Sequence, residues 1–474
     1  MLAQGIRVLS DADRERIHAA ALHVLEKGGV LVEESDLRAQ MAARGARPGP
    51  NADRVRLPGG LVADCLTTIN RAPLMRTVGG KTLTHRAADR YYHSLVTDPY
   101  IADYREGLRR PRLDDIARHA RLGDALPLVD SIHLMDDTIP GLDSATSELK
   151  GLEAFVANTT TCYHCAPGTM RGTRCWIEIA EIMAGGSLRS NPVLGAYVPV
   201  VSPLVLTDFN VKQLRMFLRA GVLCNVGPCA IAGATAPYPL AGLLVQSWAE
   251  FLAMAVASQV IEPGAPVMGG GGGAHHMDMR RLESMYSGVS KALASAAMNE
   301  LCGWLDIPTR TGNLTTLCSN YGVQNGMESA IGALATFFGR ANDYGSFGSL
   351  ANACGMSAAQ IVMHHDLIET LERLRRGLDA SDEKLAVASI LAAGPRGEFM
   401  MDPLTIKYMR SDEHGFPASY EQCHGGQDVK TMAQRAQERA EDLMASHRPA
   451  VPQDRLDEVH RYVERELARG GQNE

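Results

Sequence analysis

The feature that most constrains this chain is a regular alternation of short apolar runs with longer helical stripes from about residue 113 to residue 349. Strand-like runs fall at 129–135, 192–201, 222–231, 266–268 and 308–313. Helical patterns fall at 114–122, 173–183, 208–220, 240–261, 284–301 and 325–338, followed by a small-residue strand or loop within 340–349. Strands separated by helices of this length pair in parallel, because each crossover returns the chain to the same end of the sheet. About seven or eight such units predict an α/β fold, a (β/α)8 TIM barrel. An open doubly wound sheet is the alternative that the pattern leaves standing.

The flanks read differently. Residues 1–112 are expected to form an N-terminal helical region. Ser10 caps a stripe carrying Ile17, Ala21, Val24 and Leu25, and further helices are expected at 35–44, closed by Gly45, and at 61–69. The barrel is expected over 113–427. Residues 428–474 read as C-terminal helices, a solvated tail broken by Pro449 and Pro452.

Charge and composition exclude several classes of partner. A net charge of −7 offers no basic face, so no nucleic acid is expected. The most apolar stretch, 251–261, is shorter than the roughly 20 residues that cross a bilayer, so no membrane is expected. The N-terminus lacks a basic start followed by an apolar run, and ten dilute cysteines read as reduced thiols. A cytoplasmic protein follows from these readings.

The strongest local signal is Pro266-Val-Met followed by five glycines, then His275, His276 and Asp278. Glycine lets backbone approach a ligand closely, and in a barrel the loop after a strand lies on the catalytic face. His276 and Asp278 are therefore expected to line a pocket. Phosphate-loop and dinucleotide motifs are absent, as are GxSxG and HExxH, which argues against serine or zinc hydrolysis. Cys162 and Cys165 flank His164 in a single CxxC without a second pair, so packed thiols are favoured over zinc and no metal is expected. His364, His365 and Asp366 are neighbours in a helical stretch, where adjacent side chains diverge. Two loop segments, 313–328 and 340–349, mix amides with aromatics in a chain that is only 5% aromatic. Tyr321, Tyr344 and Phe347 there suit a cage for a ligand cation, and ordinary core aromatics are the equal alternative. Asn313, Gln324 and Asn342 would orient the ligand, and Arg280 or Arg310 would pair with a carboxylate.

Several motifs together resemble the trimethylamine methyltransferase superfamily. They are SPLVLTDFN at 202–210, AGATAPYPLAG at 232–242, Ala249-Glu250, PGAPV at 263–267 and Asp278-Met279-Arg280. The resemblance runs on through 17–30, 96–116 and 397–410, essentially the full length. It implies a barrel enzyme that moves a methyl group from a methylated amine to the Co(I) corrinoid of a partner protein. With only standard residues, the chain resembles the non-pyrrolysine branch, which acts on quaternary amines such as glycine betaine. The corrinoid (cobalamin) would be supplied by that partner, with no cofactor held tightly here, and a homo-oligomer is expected. Catalytic roles would fall to His276, Asp278 and Gln324. Three charged positions of the family are replaced here by Leu317, Ser319 and Gly322, and a family histidine by Leu404. These departures keep open a non-catalytic binder of betaine-like ligands, or a different methyl acceptor such as a folate.

Overall fold

Eight parallel strands form the centre of the computed structural model, which describes residues 7–86, 89–135, 138–270, 274–339, 341–420 and 430–469. They are β1 (Tyr91–Leu95), β2 (Ser131–Leu134), β3 (Cys162–Cys165), β4 (Leu194–Val200), β5 (Leu223–Pro228), β6 (Val267–Met268), β7 (Arg310–Gly312) and β8 (Asp343–Phe347). Each of β1 to β5 pairs with its successor, β5 pairs with β6, β7 with β8, and β8 with β1. A parallel bridge between Gly269 and Thr309 joins β6 to β7, so the sheet closes on itself. The barrel, rather than the open sheet, is what the alternation encodes.

Each strand feeds a helix on the outside: α1 (Leu113–Ala125), α2 (Ser144–Val156), α3 (Met170–Ala184), α4 (Asp208–Ala220), α5 (Leu240–Ile261), α6 (Val289–Trp304), α7 (Val323–Phe338) and α8 (Ala358–Arg376). Local chemistry sets their ends. Thr207 caps α4 by accepting from the Asn210 N–H at 3.2 Å, and Gly221 stops it at φ +85°. Helix α5 has no polar face because it is covered twice, by the barrel inside and by the helices Asp11–His23 and Gly59–Thr68 outside. At 22 residues it is long and apolar enough to cross a membrane by length and composition, which corrects the shorter stretch expected at 251–261. That same window is 72% buried within the fold, as a core helix would be.

The N-terminal region is not purely helical. The capped helix Asp11–His23 is present, with Ser10 Oγ accepting from the Asp13 N–H. A small sheet accompanies it, in which Val30–Val32 pairs with Arg54–Arg56 and with Val205–Leu206 from the loop after β4. A hairpin of Leu74–Arg76 and Thr82–Thr84 plugs the barrel's N-terminal end, where Met75 and Leu83 pack on Cys162, Leu223 and Met268. Strand β1 itself precedes residue 113, so the division expected there does not coincide with the start of the barrel. Its sequence, YYHSL, turns polar residues inward and so does not look like an apolar run. The tail forms two helices, Met432–Ser446 and Gln453–Ala468, on either side of Pro449 and Pro452. They bury Ala436, Ala440, Tyr462 and Val463 against the outer helices.

Candidate active site

With the N-terminal end plugged, a cavity of about 300 Å3 opens at the C-terminal ends of the strands. Its floor is built from side chains that alternate inward along the first three strands and the last two. His93 of β1, His133 of β2 and His164 of β3 all line it, with Arg310 of β7. His133 and His164 are paired in register, and their rings stand 4.4 Å apart, edge to face. Asp343 lies at the floor between His93 and Arg310. Its Oδ1 accepts from His93 Nδ1 at 2.7 Å, and its Oδ2 accepts from Arg310 Nη1.

Burial alone would raise the Asp343 carboxyl, but Arg310 and His93 hold it far below the usual carboxylate range. Burial drives His133 and His164 well below the ordinary imidazole value, and the Arg310 charge adds to it. Both rings are therefore neutral. Three residues of the lining each carry a buried nitrogen with no hydrogen-bond partner among the described residues: Arg310 Nη2, His133 Nε2 and His164 Nδ1. Unsatisfied buried polar atoms are costly, and three of them on residues that line one cavity suit a polar ligand group.

The upper part is aromatic. Tyr197 of β4, Tyr286 and His275 line it, and the Tyr286 and His275 rings lie 4.2 Å apart. Burial raises both phenols, so they remain un-ionised. Lys291, on the first turn of α6, also reaches the lining beside Cys229, and burial pulls its amine down to about 7. Met135 and Cys229 line the cavity and are exposed, Met135 by 45%, which places the mouth at the surface.

Of the residues singled out in the sequence, Arg310 lines this cavity. His276 follows a lining residue and is half-buried, close enough to Lys291 to feel its charge. Asp278 turns to solvent and accepts from the Arg280 N–H at 2.8 Å, and Arg280 is exposed on that turn. Gln324 is exposed and donates to Glu328 at 2.7 Å. Asn313 is buried between β7 and α6, where its Oδ1 accepts from Ser295 Oγ at 3.2 Å. Asn342 sits at the opposite end of the barrel and accepts from the Thr309 N–H at 3.0 Å. Tyr344 and Phe347 point outward from β8 onto Tyr92, and Tyr321 bonds Ser357 at 2.7 Å beside Tyr104. The three aromatics expected to cage a cation are thus not brought together. The glycine run lies partly outside the described residues, at 271–273, and Arg340 and residues 421–429 do too. Cys162 and Cys165 face opposite sides of β3, since residues three apart in a strand diverge, so they do not share an ion. His365, Asp366 and Glu369 come close enough to hold a metal, but Asp366 is paired with Arg439 and Glu369 with Arg373.

The histidines of β1, β2 and β3 were not singled out as a set, although each stands mid-strand in YYHSL, SIHLM and CYHC. A polar ring recurring within successive short strands is the signal they offer.

A closed (β/α)8 barrel with its pocket at the C-terminal strand ends is the architecture of a barrel enzyme. The family model for trimethylamine methyltransferase (MTTB) matches residues 3–471, and the chain belongs to that family. The trimethylamine methyltransferase of Desulfitobacterium hafniense is 24% identical over 458 residues, covering 94% of this chain and 90% of the relative. The proline betaine:corrinoid methyltransferase of Eubacterium limosum is 22% identical over 486 residues, covering 96% and 97%. Among solved structures, the Methanosarcina barkeri monomethylamine methyltransferase superposes with a TM-score of 0.55 at 12% identity, covering 98% of this chain and 89% of that one. That last likeness concerns the fold.

Proposed function

We propose that the chain is a methyltransferase that takes a methyl group from a quaternary or tertiary methylamine for the corrinoid of a partner protein, and that its substrate is a betaine-type zwitterion. The observation that carries the substrate class is that three residues lining the cavity, Arg310, His133 and His164, each hold a buried nitrogen without a partner among the described residues. An arginine fork already fixed on one side by Asp343 is preorganised to receive a carboxylate on the other. The neutral histidines add donors without adding charge. A quaternary ammonium at the other end of such a ligand would meet the faces of Tyr197, Tyr286 and His275, where cation–π attraction contributes roughly 0.5–2 kcal/mol per ring. Membership of the family and the matching relatives support the methyl-transfer chemistry.

A quaternary ammonium is an activated methyl donor, because a neutral tertiary amine leaves and no proton has to be delivered. The protein's task is then to hold one methyl group at the mouth and to exclude water from the rest. Leu95, Pro228 and Met135 supply the apolar wall. The exposed mouth at Met135 and Cys229 fits a nucleophile presented from outside rather than one bound within the barrel. When docked there, a Co(I) corrinoid supplies that nucleophile. The His93–Asp343 pair fixes one imidazole tautomer and keeps the floor rigid.

The test is ligand binding followed by methyl transfer. Glycine betaine and proline betaine are expected to raise Tm and to methylate a Co(I) corrinoid protein, whereas choline, which lacks the carboxylate, is expected to bind weakly and to give a much smaller response in both. Equal responses to choline and to a betaine would remove the carboxylate site from this reading.

A further inference from the structure

Among the described residues that line the cavity, Asp98 is the one carboxylate, and it is 4% exposed. It stands three residues past Leu95, the last residue of β1, on the mouth side of His93. Arg310 by contrast opens β7, at the other end of the strand layer. Pro99 follows Asp98 and favours an extended backbone there. The chain then enters Tyr100–Asp103, a strand that pairs with Gly355–Met356 and through it with Ser349–Leu350. This pairing brings Ser349 to Asp98, whose Oδ2 accepts from Ser349 Oγ at 2.9 Å. Ser349 is itself buried and lines the cavity. A neutral hydroxyl orients a carboxylate and leaves its charge in place.

Residues 351–354 tie Asp98 to the aromatic part of the cavity. The Tyr100 N–H donates to the Cys354 carbonyl at 2.9 Å, and the Tyr286 N–H donates to Asn352 Oδ1 at 2.9 Å. The segments that carry Asp98 and Tyr286 are thus anchored to one short stretch of chain, of which Ala353 lines the cavity. Burial raises the Cys354 thiol, and the Asp98 charge adds to it, although Cys354 reaches the surface. The lining is therefore polar in a directional sense. A guanidinium lies at the floor, and a carboxylate lies toward the mouth on the side where Tyr286 is anchored.

We propose that Asp98 is the counter-ion of the substrate's ammonium group, and that the cavity aligns a zwitterion with its carboxylate toward Arg310 and its cation toward Asp98. This rests on the betaine reading above and adds the residue that reads the positive charge. A quaternary nitrogen has no N–H to donate, so the attraction is Coulombic and acts through the N-methyl groups, over which the charge is spread. Beside an apolar wall of Leu95, Pro228 and Met135 it is screened less than in water. A bound cation in turn favours the charged form of an enclosed carboxylate. Aromatic faces attract a cation over a broad area, whereas a carboxylate held by Ser349 draws it to one place. A ligand aligned in this way turns its nitrogen toward the mouth, where the methyl group has to be presented.

The test compares glycine betaine with tert-butylacetate, which has the same shape with carbon in place of nitrogen and so no positive charge. Both are titrated calorimetrically above the pH, about 7, at which Lys291 loses its charge. The wild type is expected to bind glycine betaine at least about tenfold more tightly than tert-butylacetate. Asp98→Asn keeps an oxygen to accept from Ser349 and removes the charge, so its Tm without ligand is expected to match the wild type. The variant is expected to bind glycine betaine about tenfold more weakly, and tert-butylacetate as tightly as the wild type or more so, because an anionic ligand no longer meets a second carboxylate. Glycine betaine bound equally by wild type and variant overturns the proposal. An equal loss of both ligands also overturns it, since that marks a structural role. Equal affinity of the wild type for the two ligands overturns it too, whether or not the variant folds. All three outcomes leave the carboxylate site at Arg310 standing. A wild type that binds neither ligand overturns the betaine reading itself, and this inference with it.

Discussion

Arg310 and Asp343 face each other in register across β7 and β8, and the ion pair they form leaves one nitrogen of the guanidinium, Nη2, buried without a partner among the described residues. Both side chains are almost wholly enclosed. Removing the carboxylate with Asp343→Ala would strand a buried guanidinium and deprive His93 of its acceptor. The expected cost is about 3–5 kcal/mol, the range for breaking a buried pair from one side. Urea unfolding checks it, and a loss below about 1 kcal/mol, as for an exposed pair, would show that water reaches the floor.

The two histidines at the floor make a different prediction, because they carry unpaired nitrogens rather than charge. His133→Phe keeps a ring of similar shape against His164 and deletes the nitrogens. Stability should hold or rise, since an unsatisfied buried group disappears. Affinity for a carboxylate-bearing quaternary amine should fall about tenfold, roughly the worth of one hydrogen bond to an anion. Weak binding of choline should not change. Calorimetric titration of both ligands separates this outcome from general damage, which would weaken both.

Gly345 of β8 lies opposite His93 of β1, and a Cβ there would stand 2.1 Å from the His93 carbonyl oxygen. Backbone cannot move aside as a flexible side chain can. Gly345→Ala is therefore expected to push β8 from β1, costing about 1–3 kcal/mol as overpacking does. It should also disturb the His93–Asp343 bond and weaken substrate binding. Gly312→Ala is the control, because its new Cβ would meet the hydroxyl of Ser346, which can rotate away.

How far the sequence shows all this depends on what each strand turns inward. Strands β4 and β5 carry long aliphatic runs and are legible within a few residues of their ends. Strands β1 and β3 are not, because their inward positions hold His93, Cys162 and His164, and a strand lining a polar pocket has no apolar alternation to read. The misplaced cage has a related cause. In β8 the inward residues are Asp343 and Gly345, so alternation turns Tyr344 outward, and an irregularity after Gly345, with Ser346 at φ +68°, sends Phe347 to the same side. A slip of one residue exchanges the two faces of a strand, and nothing in RANDYGSFGS fixes that register. Arg310 could be named only as one of two arginines near strand ends, and it is Arg310 rather than Arg280 that lines the cavity.

Lys291 supplies the last prediction, a dependence on pH. Its amine faces Cys229, His275, His276 and Tyr286 around the upper cavity, and burial lowers it to about 7. Burial keeps His275 and His276 below their ordinary value, so neither gains charge in that range. Burial raises Tyr286, and the surrounding cavity wall desolvates the Cys229 thiol and raises it too although the residue reaches the surface, so neither loses its proton there. Below about 7 the cavity therefore acquires a positive charge where the ammonium group is proposed to sit, and above it the charge is gone. Affinity for a quaternary amine should strengthen as pH rises through about 7 and then level off. Stability follows the same sign. From about 7 up to the ordinary 10.5 the unfolded chain holds the proton and the folded chain does not, so folding is favoured increasingly as pH rises across that window and loses this advantage as pH falls back to about 7. Lys291→Met keeps the length and removes the titration. In that variant, binding should be flat with pH at the wild type's high-pH value. A variant that still showed the wild-type profile would move the titrating group elsewhere in the cavity.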